Sequence, residues 1–471
     1  MKGIISYGAY VPYNRLQRKK VGDFFEKPTF GGEKAVAGYD EDSVSMGVEA
    51  AFDCLQGEKV NEISSVFFAT VNPPYKEKGS IATIAAALQL NENIRGIEAT
   101  SSLRSGTSSI LLANENERTL VISADCRTGA PNGQNEQWFG DGATAFLIGT
   151  GTEVIAKLID SESLQDEMIN QWRNSSDDFT RNWEERLGTT AFLKQVKKVV
   201  TPFLEKNECT ADSISKVIIS GPTTRAHSQA AAALGFQGDQ VQNTLLDSIG
   251  AAGNAHAPMM LISALETAQP GDKLLVIAYA EGLDVILFEV TKEIVNLAER
   301  KGVSGYLNST NKQISYSDYL KWRELIQVEP PRRPDTDRPS APALYRNYQQ
   351  NLSFSGSKCL ECGTAQFPKQ RVCVQCHAKD QMEAYCFVGQ SAKVATYTID
   401  HLAASPAPPM IVVVVDFDNG GRVICELTDC NPKEVDIGMD VEMTFRRLYV
   451  AGGISNYFWK ARPVRRKAGE S

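Results

Sequence analysis

Four cysteines fall into two pairs, Cys359-Leu360-Glu361-Cys362 and Cys373-Val374-Gln375-Cys376. Each C-x-x-C turn aims two thiolates at one point. Two such turns joined by a short connector wrap a single tetrahedral zinc ion. Gly363 follows the first pair, where a knuckle often needs a positive backbone angle, and Pro368 lies in the connecting hairpin. A redox C-x-x-C or chance spacing is the plainer alternative, but paired knuckles are far more specific than one. Four protein ligands leave no open position, so the metal is expected to be structural. His377 directly follows Cys376 and reads as a bystander. The other cysteines are scattered through apolar segments, which in a long cytosolic chain reads as reduced thiols.

The elements around these residues change character along the chain. Residues 1–325 alternate between apolar strands and helical stretches, which predicts an α/β domain with buried strands. Expected strands are 66–70, 119–124, 144–149, 216–220, 273–279 and 285–290; expected helices cover 80–90 and 226–234. Residues 326–344 are rich in proline and arginine, which predicts an extended connector. Residues 345–471 hold the knuckles and then an all-β pattern: 392–400 alternates, 411–417 is a continuous apolar run, Asp418-Asn419-Gly420-Gly421 turns the chain and 422–427 returns. With 441–446, about five short strands fit a small OB-type barrel.

Composition narrows the classes. At 42% hydrophobic and 23% charged residues, the 471-residue chain is an ordinary globular one. Its net charge of −8 argues against nucleic acid binding by the whole surface. No apolar run is long enough to span a membrane, and the N-terminal residues read as a strand, not a signal peptide, so a cytoplasmic protein is expected.

Residues 1 to about 325 resemble the thiolase superfamily, in particular archaeal-type hydroxymethylglutaryl-CoA synthases and type III ketoacyl synthases. The resemblance rests on Asn72-Pro73-Pro74-Tyr75, on Ala124-Asp125 leading to Phe139-Gly140-Asp141-Gly142-Ala143, on Leu234-Gly235-Phe236, on Gly253-Asn254 and on Pro270-Gly271-Asp272-Lys273-Leu274-Leu275-Val276. It implies a five-layered αβαβα fold, usually dimeric. The remainder resembles the zinc-ribbon and OB-fold domain that accompanies acyl-CoA thiolases and synthases, through the knuckles with Phe367-Pro368 between them, Val394–Thr398 and Ile437–Val441. That resemblance implies a domain that bridges to a thiolase partner subunit and helps hold a coenzyme A thioester.

The synthases use a cysteine nucleophile, a glutamate acid/base and a histidine. The resemblance puts the cysteine at Leu103, the glutamate at Val71 and the histidine at Ser220. Leucine cannot attack a thioester and valine cannot carry a proton, so this acyltransferase-type triad reads as lost. Replacements were weighed against blander roles. Ser102 is one residue off but has no evident base; Cys126 reads as a packed thiol; His227 reads as a packed or surface helix residue. His256 follows Gly253-Asn254, where the family places an asparagine near the oxyanion, and Tyr75 is a phenolic acid/base candidate. Asn254 and Arg104 are the expected coenzyme A pocket residues, with Arg104 at the old active-site mouth. The basic run Lys460, Arg462, Arg465, Arg466, Lys467 is read either as a contact for coenzyme A phosphates or an acidic partner, or as a solvated tail.

Three functions follow from the resemblance: an auxiliary subunit of an acyl-CoA carbon–carbon bond complex, its zinc-ribbon/OB domain docking a thiolase partner; an active β-hydroxy- or β-ketoacyl-CoA synthase or aldolase with rearranged residues; or an ordinary hydroxymethylglutaryl-CoA synthase whose motifs align differently. Nucleic acid binding is the generic alternative for a zinc ribbon with an OB barrel.

Overall fold

The computed structural model describes residues 2–330, 332 and 337–465. Pro331 and residues 333–336 of the proline-rich segment lie outside the described residues, as do Arg466 and Lys467; the end of the segment is not extended as expected but enters the helix Ala341–Arg346, with Pro342 in its first turn.

The first part is built on nine strands in the order Lys216–Ser220, Lys273–Ala280, Gly282–Val290, Ala156–Gln165, Lys2–Tyr10, Asp141–Thr150, Arg118–Cys126, Ile63–Ala69, Arg95–Ala99. The strands of the two halves pair at Gly3 opposite Lys157 and Ile4 opposite Ala156. Lys2–Tyr10 is buried along its whole length. A strand covered on both faces needs apolar or small residues throughout rather than alternation, and its sequence KGIISYGAY largely supplies them.

Two helices form the middle layer of the five-layered αβαβα fold. Ser43–Cys54 is buried at every residue but Phe52 and packs on the central strands. Its start is fixed by a capping box in which the Asp42 carboxylate accepts the Ser45 N–H at 2.9 Å. His256–Leu265 is buried at every residue but Ser263 and touches strands of both halves. Helices apolar all round belong inside a larger fold.

The knuckles sit on a three-stranded sheet, Ala365–Gln366, Ser355–Cys359 and Met382–Cys386. The barrel that follows orders its strands Arg422–Glu426, Met410–Phe417, Ala392–Asp400, Asp440–Ala451, Ile454–Pro463. It closes where the Thr428 N–H donates to the Ala461 carbonyl at 2.9 Å. Ribbon and barrel share an aromatic core: the Phe354 ring lies 4.6 Å from Phe367, 5.9 Å from Phe417 and 5.7 Å from Trp459.

The barrel is locked onto the first domain by buried charge. Arg446 is 1% exposed and pairs with Glu41 and, at 2.7 Å, with Asp429. Lys460 pairs with Asp40 at 3.0 Å, and Arg462 with Glu49 at 2.7 Å and Glu442 at 2.8 Å. Arg465 pairs with Asp429 at 2.9 Å. Burial opposes the charge on Lys460, but Asp40, Tyr39 and Glu426 together outweigh it and hold the ammonium above its ordinary value. The described part of the C-terminal basic run is therefore neither a solvated tail nor free for phosphates. It is the inner face of a domain seam, because each cation meets carboxylates from the distant 40–49 segment or from the barrel itself.

Candidate active site and zinc centre

A cavity of about 690 Å³ opens where the two halves of the first domain meet. Its wall is made from strand ends and the loops that follow them. Ser220 ends the strand Lys216–Ser220, Tyr279 and Ala280 end Lys273–Ala280, and Arg127 follows Arg118–Cys126. Ligands in open α/β sheets commonly bind beyond the strand carboxyl ends at such a reversal. Leu103 reaches the wall from the turn before the helix Ser105–Leu112, and Ser101 beside it holds φ of 79°. A positive φ at a serine is uncommon and marks a backbone held by its surroundings.

Asp125 ties these loops together. Its carboxylate accepts from the Thr70 hydroxyl at 2.9 Å, from the Val71 N–H at 2.7 Å and from the Asn254 N–H at 2.7 Å. Gly253 stands next to it at φ +58°, and an added Cβ would lie 2.2 Å from an Asp125 oxygen. Only glycine meets both demands.

Two histidines stand on the wall. His227 begins one turn inside the helix Thr224–Ala233, which Thr223 caps, and His256 opens the buried helix. Burial pushes His227 down to about 4. Burial, helped by the neighbouring His227 and Arg127, pushes His256 down to about 3. Both imidazoles are neutral at physiological pH. The Gly221 N–H donates to His227 Nε2 at 2.7 Å, and His256 bonds the Gly250 backbone.

The structure sorts the residues expected from sequence. Leu103, Ser220, His227 and His256 come together on one cavity. Val71 does not line it: its carbonyl accepts from Arg173 at 2.6 Å while its N–H serves Asp125. Tyr75 faces the barrel, where its hydroxyl accepts the Ser455 N–H at 2.8 Å. Arg104, expected at the mouth, is 3% exposed and spent on Asp284 at 2.6 Å and Gln165 at 2.8 Å. Burying a guanidinium requires such a partner, and the pairing takes Arg104 out of the pocket. Asn254 is also off the wall, because its Oδ1 accepts the Gly106 N–H at 3.0 Å and its Nδ2 donates to Asp125 at 3.2 Å. The Ser102 hydroxyl accepts the Arg104 N–H at 3.1 Å, and burial pushes the Cys126 thiol well up. Neither is a poised nucleophile.

Sequence reasoning missed the segment between Ala156–Gln165 and Glu185–Lys206. It contributes Met168, Ile169, Trp172 and Trp183 to the cavity wall, which Trp138 also lines. A second, more polar pocket of about 440 Å³ adjoins it, sharing Trp138, Asn170, Gln171, Trp183 and Pro222, and reaches Arg225 at the helix start.

The four expected ligands form the other centre. The Cys359 and Cys376 sulfurs are 3.6 Å apart, the Cys362 and Cys373 sulfurs 3.5 Å, and all four lie within 4.8 Å of one another. Zinc–sulfur bonds of about 2.3 Å in a tetrahedron separate sulfurs by about 3.8 Å, so the set fits one zinc. Backbone N–H groups of Gln375 and Cys376 point at the Cys373 sulfur at 3.4 and 3.5 Å. Gly363 takes φ +75° as the knuckle requires, and His377 is exposed and outside the cluster. With four thiolates the centre is closed and structural.

The family described as 3-oxoacyl-[acyl-carrier-protein] synthase III C terminal matches residues 204–287. The ChsH2 rubredoxin-like zinc ribbon domain matches 352–383, and the ChsH2 C-terminal OB-fold domain matches 387–446. Hydroxymethylglutaryl-CoA synthase of Pyrococcus horikoshii is 28% identical over 339 residues, covering 68% of this chain and 95% of that protein. The synthase of Methanopyrus kandleri is 24% identical over 343 residues, covering 69% and 98%. A solved hydroxymethylglutaryl-CoA synthase complexed with CoA superposes with a TM-score of 0.62 at 15% identity, covering 72% of this chain and 94% of that one. The first domain thus has a thiolase-like fold, and its residues 204–287 match the synthase III C-terminal family. The chain as a whole is that domain fused to a ChsH2-type zinc ribbon and OB fold. Among the described residues no helix is long and apolar enough to cross a membrane.

Proposed function

We propose that this chain binds an acyl-CoA thioester in the 690 Å³ cavity and handles it without forming an acyl-enzyme, as one subunit of an assembly that makes or breaks a carbon–carbon bond. The observation that carries this reading is Leu103 on the cavity wall beside Ser220, where the resemblance implies a cysteine and a histidine. Neither an alkyl side chain nor a serine without a paired base can hold the acyl group covalently. The cavity nonetheless encloses about 690 Å³ and carries two neutral histidines on its wall. Its outer annex supports the thioester assignment: Arg225 and the amide-rich rim offer polar partners for a nucleotide and phosphates, while the apolar interior suits the acyl end.

The reacting cysteine then comes from a thiolase-type partner, and the zinc ribbon with its barrel contributes the bridging surface. A second copy of this chain adds through the free edge strand Arg95–Ala99, where Ile97 is 54% exposed. Isolation of the tagged chain from its host tests the reading. A thiolase-type protein should copurify, and the isolated chain should bind coenzyme A by calorimetry without turning over a thioester. Turnover by the isolated chain, or no coenzyme A binding, contradicts it.

The two neutral imidazoles favour a second reading, an active aldol-type enzyme with no covalent intermediate. Under it, His256→Gln abolishes turnover by the isolated chain; unchanged turnover removes it.

A further inference from the structure

The acyl-binding end of the cavity has an unusual lining for a site that would take a two-carbon unit. Trp138, Trp172 and Trp183 all contribute, with Met168, Ile169 and Leu103 between them. Trp172 and Trp183 meet edge to face with centroids 6.4 Å apart. They come from the paired strands Gln171–Trp172 and Arg181–Asn182, with Trp183 directly after the second. Trp183 is still 61% exposed, so a large ring face is available to a ligand.

The charges on the wall point the same way. Its cation, Arg127, is committed: the guanidinium lies 3.6 Å above the Phe139 ring and donates to Gln171 at 2.9 Å. Glu167 and Glu281 also stand on the wall. On this wall, among the described residues, a carboxylate carried by the acyl group would meet two like charges and no uncommitted cation. A ring-bearing group instead gains offset or edge contacts with the tryptophans beyond its area burial.

Resting on the thioester reading above, we propose that the acyl group is bulky, uncharged and ring-bearing, selected by Trp172 and Trp183 of the cavity wall. Small acyl groups and acyl groups with a free carboxylate are discriminated against.

Equilibrium binding to the full chain, followed by tryptophan fluorescence and calorimetry, tests this with four probes: coenzyme A, acetyl-CoA, hydroxymethylglutaryl-CoA and phenylacetyl-CoA. Phenylacetyl-CoA should bind about tenfold tighter than acetyl-CoA, the scale of one good aromatic contact. Hydroxymethylglutaryl-CoA should bind no tighter than coenzyme A. In Trp172→Ala the ratio of phenylacetyl-CoA to acetyl-CoA affinity should fall toward one, while Trp172→Phe keeps most of it. Equal affinities in the unaltered chain, a preference for the carboxylate-bearing thioester, or a preference that survives in both Trp172→Ala and Trp183→Ala overturns the proposal. Failure of all four probes, coenzyme A included, overturns the thioester reading itself.

Discussion

Replacing Arg446 by methionine would show how firmly the barrel is fixed to the first domain. The guanidinium is 1% exposed and is shared between Glu41 and Asp429. It also donates to the Tyr10 hydroxyl at 3.1 Å. Methionine matches the stem but takes no charge, so both carboxylates lose a partner in a site that water does not reach. Asp429 keeps Arg465 at 2.9 Å. Among the described residues, Glu41 keeps its hydrogen bonds from Tyr10 and from the Gly38 N–H at 2.7 Å. One buried carboxylate is therefore left without a cation at contact distance, which costs about 3–5 kcal/mol. Against a total stability of about 5–15 kcal/mol, that is a large fraction. The expected result is a urea transition shifted to much lower denaturant and early proteolytic cutting near residues 326–344. Arg446→Met combined with Glu41→Gln should recover most of the loss, because it removes both charges. A cost below about 1 kcal/mol for Arg446→Met, the range of exposed pairs, would refute the buried lock.

Three further outcomes follow from the geometry. His227 and His256 are held down to about 4 and 3, below the unfolded value of about 6.5, so the unfolded chain binds their protons first. Their contribution is present above about pH 6.5 and is lost as pH falls toward 4, at roughly 1 kcal/mol per pH unit per group; urea titrations of the chain against His256→Gln should show a shallower slope in the variant. Cys359→Ser should abolish stoichiometric zinc and open the ribbon to protease, because metal binding and ribbon folding are one event; the barrel should stay docked through Arg446 and Arg462. Tyr75→Phe should leave coenzyme A binding unchanged and cost about 0.5–1.5 kcal/mol, the worth of its single hydrogen bond to Ser455.

The zinc centre was legible in the sequence because its ligands are local: two tight turns hold all four thiolates, and spacing alone specifies them. The alternating strands and the barrel were legible for a similar reason, since burial period is written along each element. Leu103, Ser220 and His256 could be placed near one another only through the resemblance, and they do line one cavity. The domain seam was not legible. Lys460 and Arg462 look like surface cations in a C-terminal run, and nothing local reveals that their partners are Asp40 and Glu49. Arg104 misled for the same reason, as Asp284 neutralises it from the other half of the fold. The aromatic part of the cavity wall does carry a sequence signal: two of the chain's five tryptophans, Trp172 and Trp183, stand close together in an otherwise polar stretch. Large aromatics in a connecting segment are seldom there for the solvent.

A thioester site without a covalent nucleophile should bind its ligand and never be acylated by it. Intact-protein mass spectrometry of the purified chain after exposure to saturating acetyl-CoA tests it most directly. The mass should be unchanged. A stable gain of one acetyl group, mapped to Ser101, Ser220 or any other residue on the cavity wall, would contradict it.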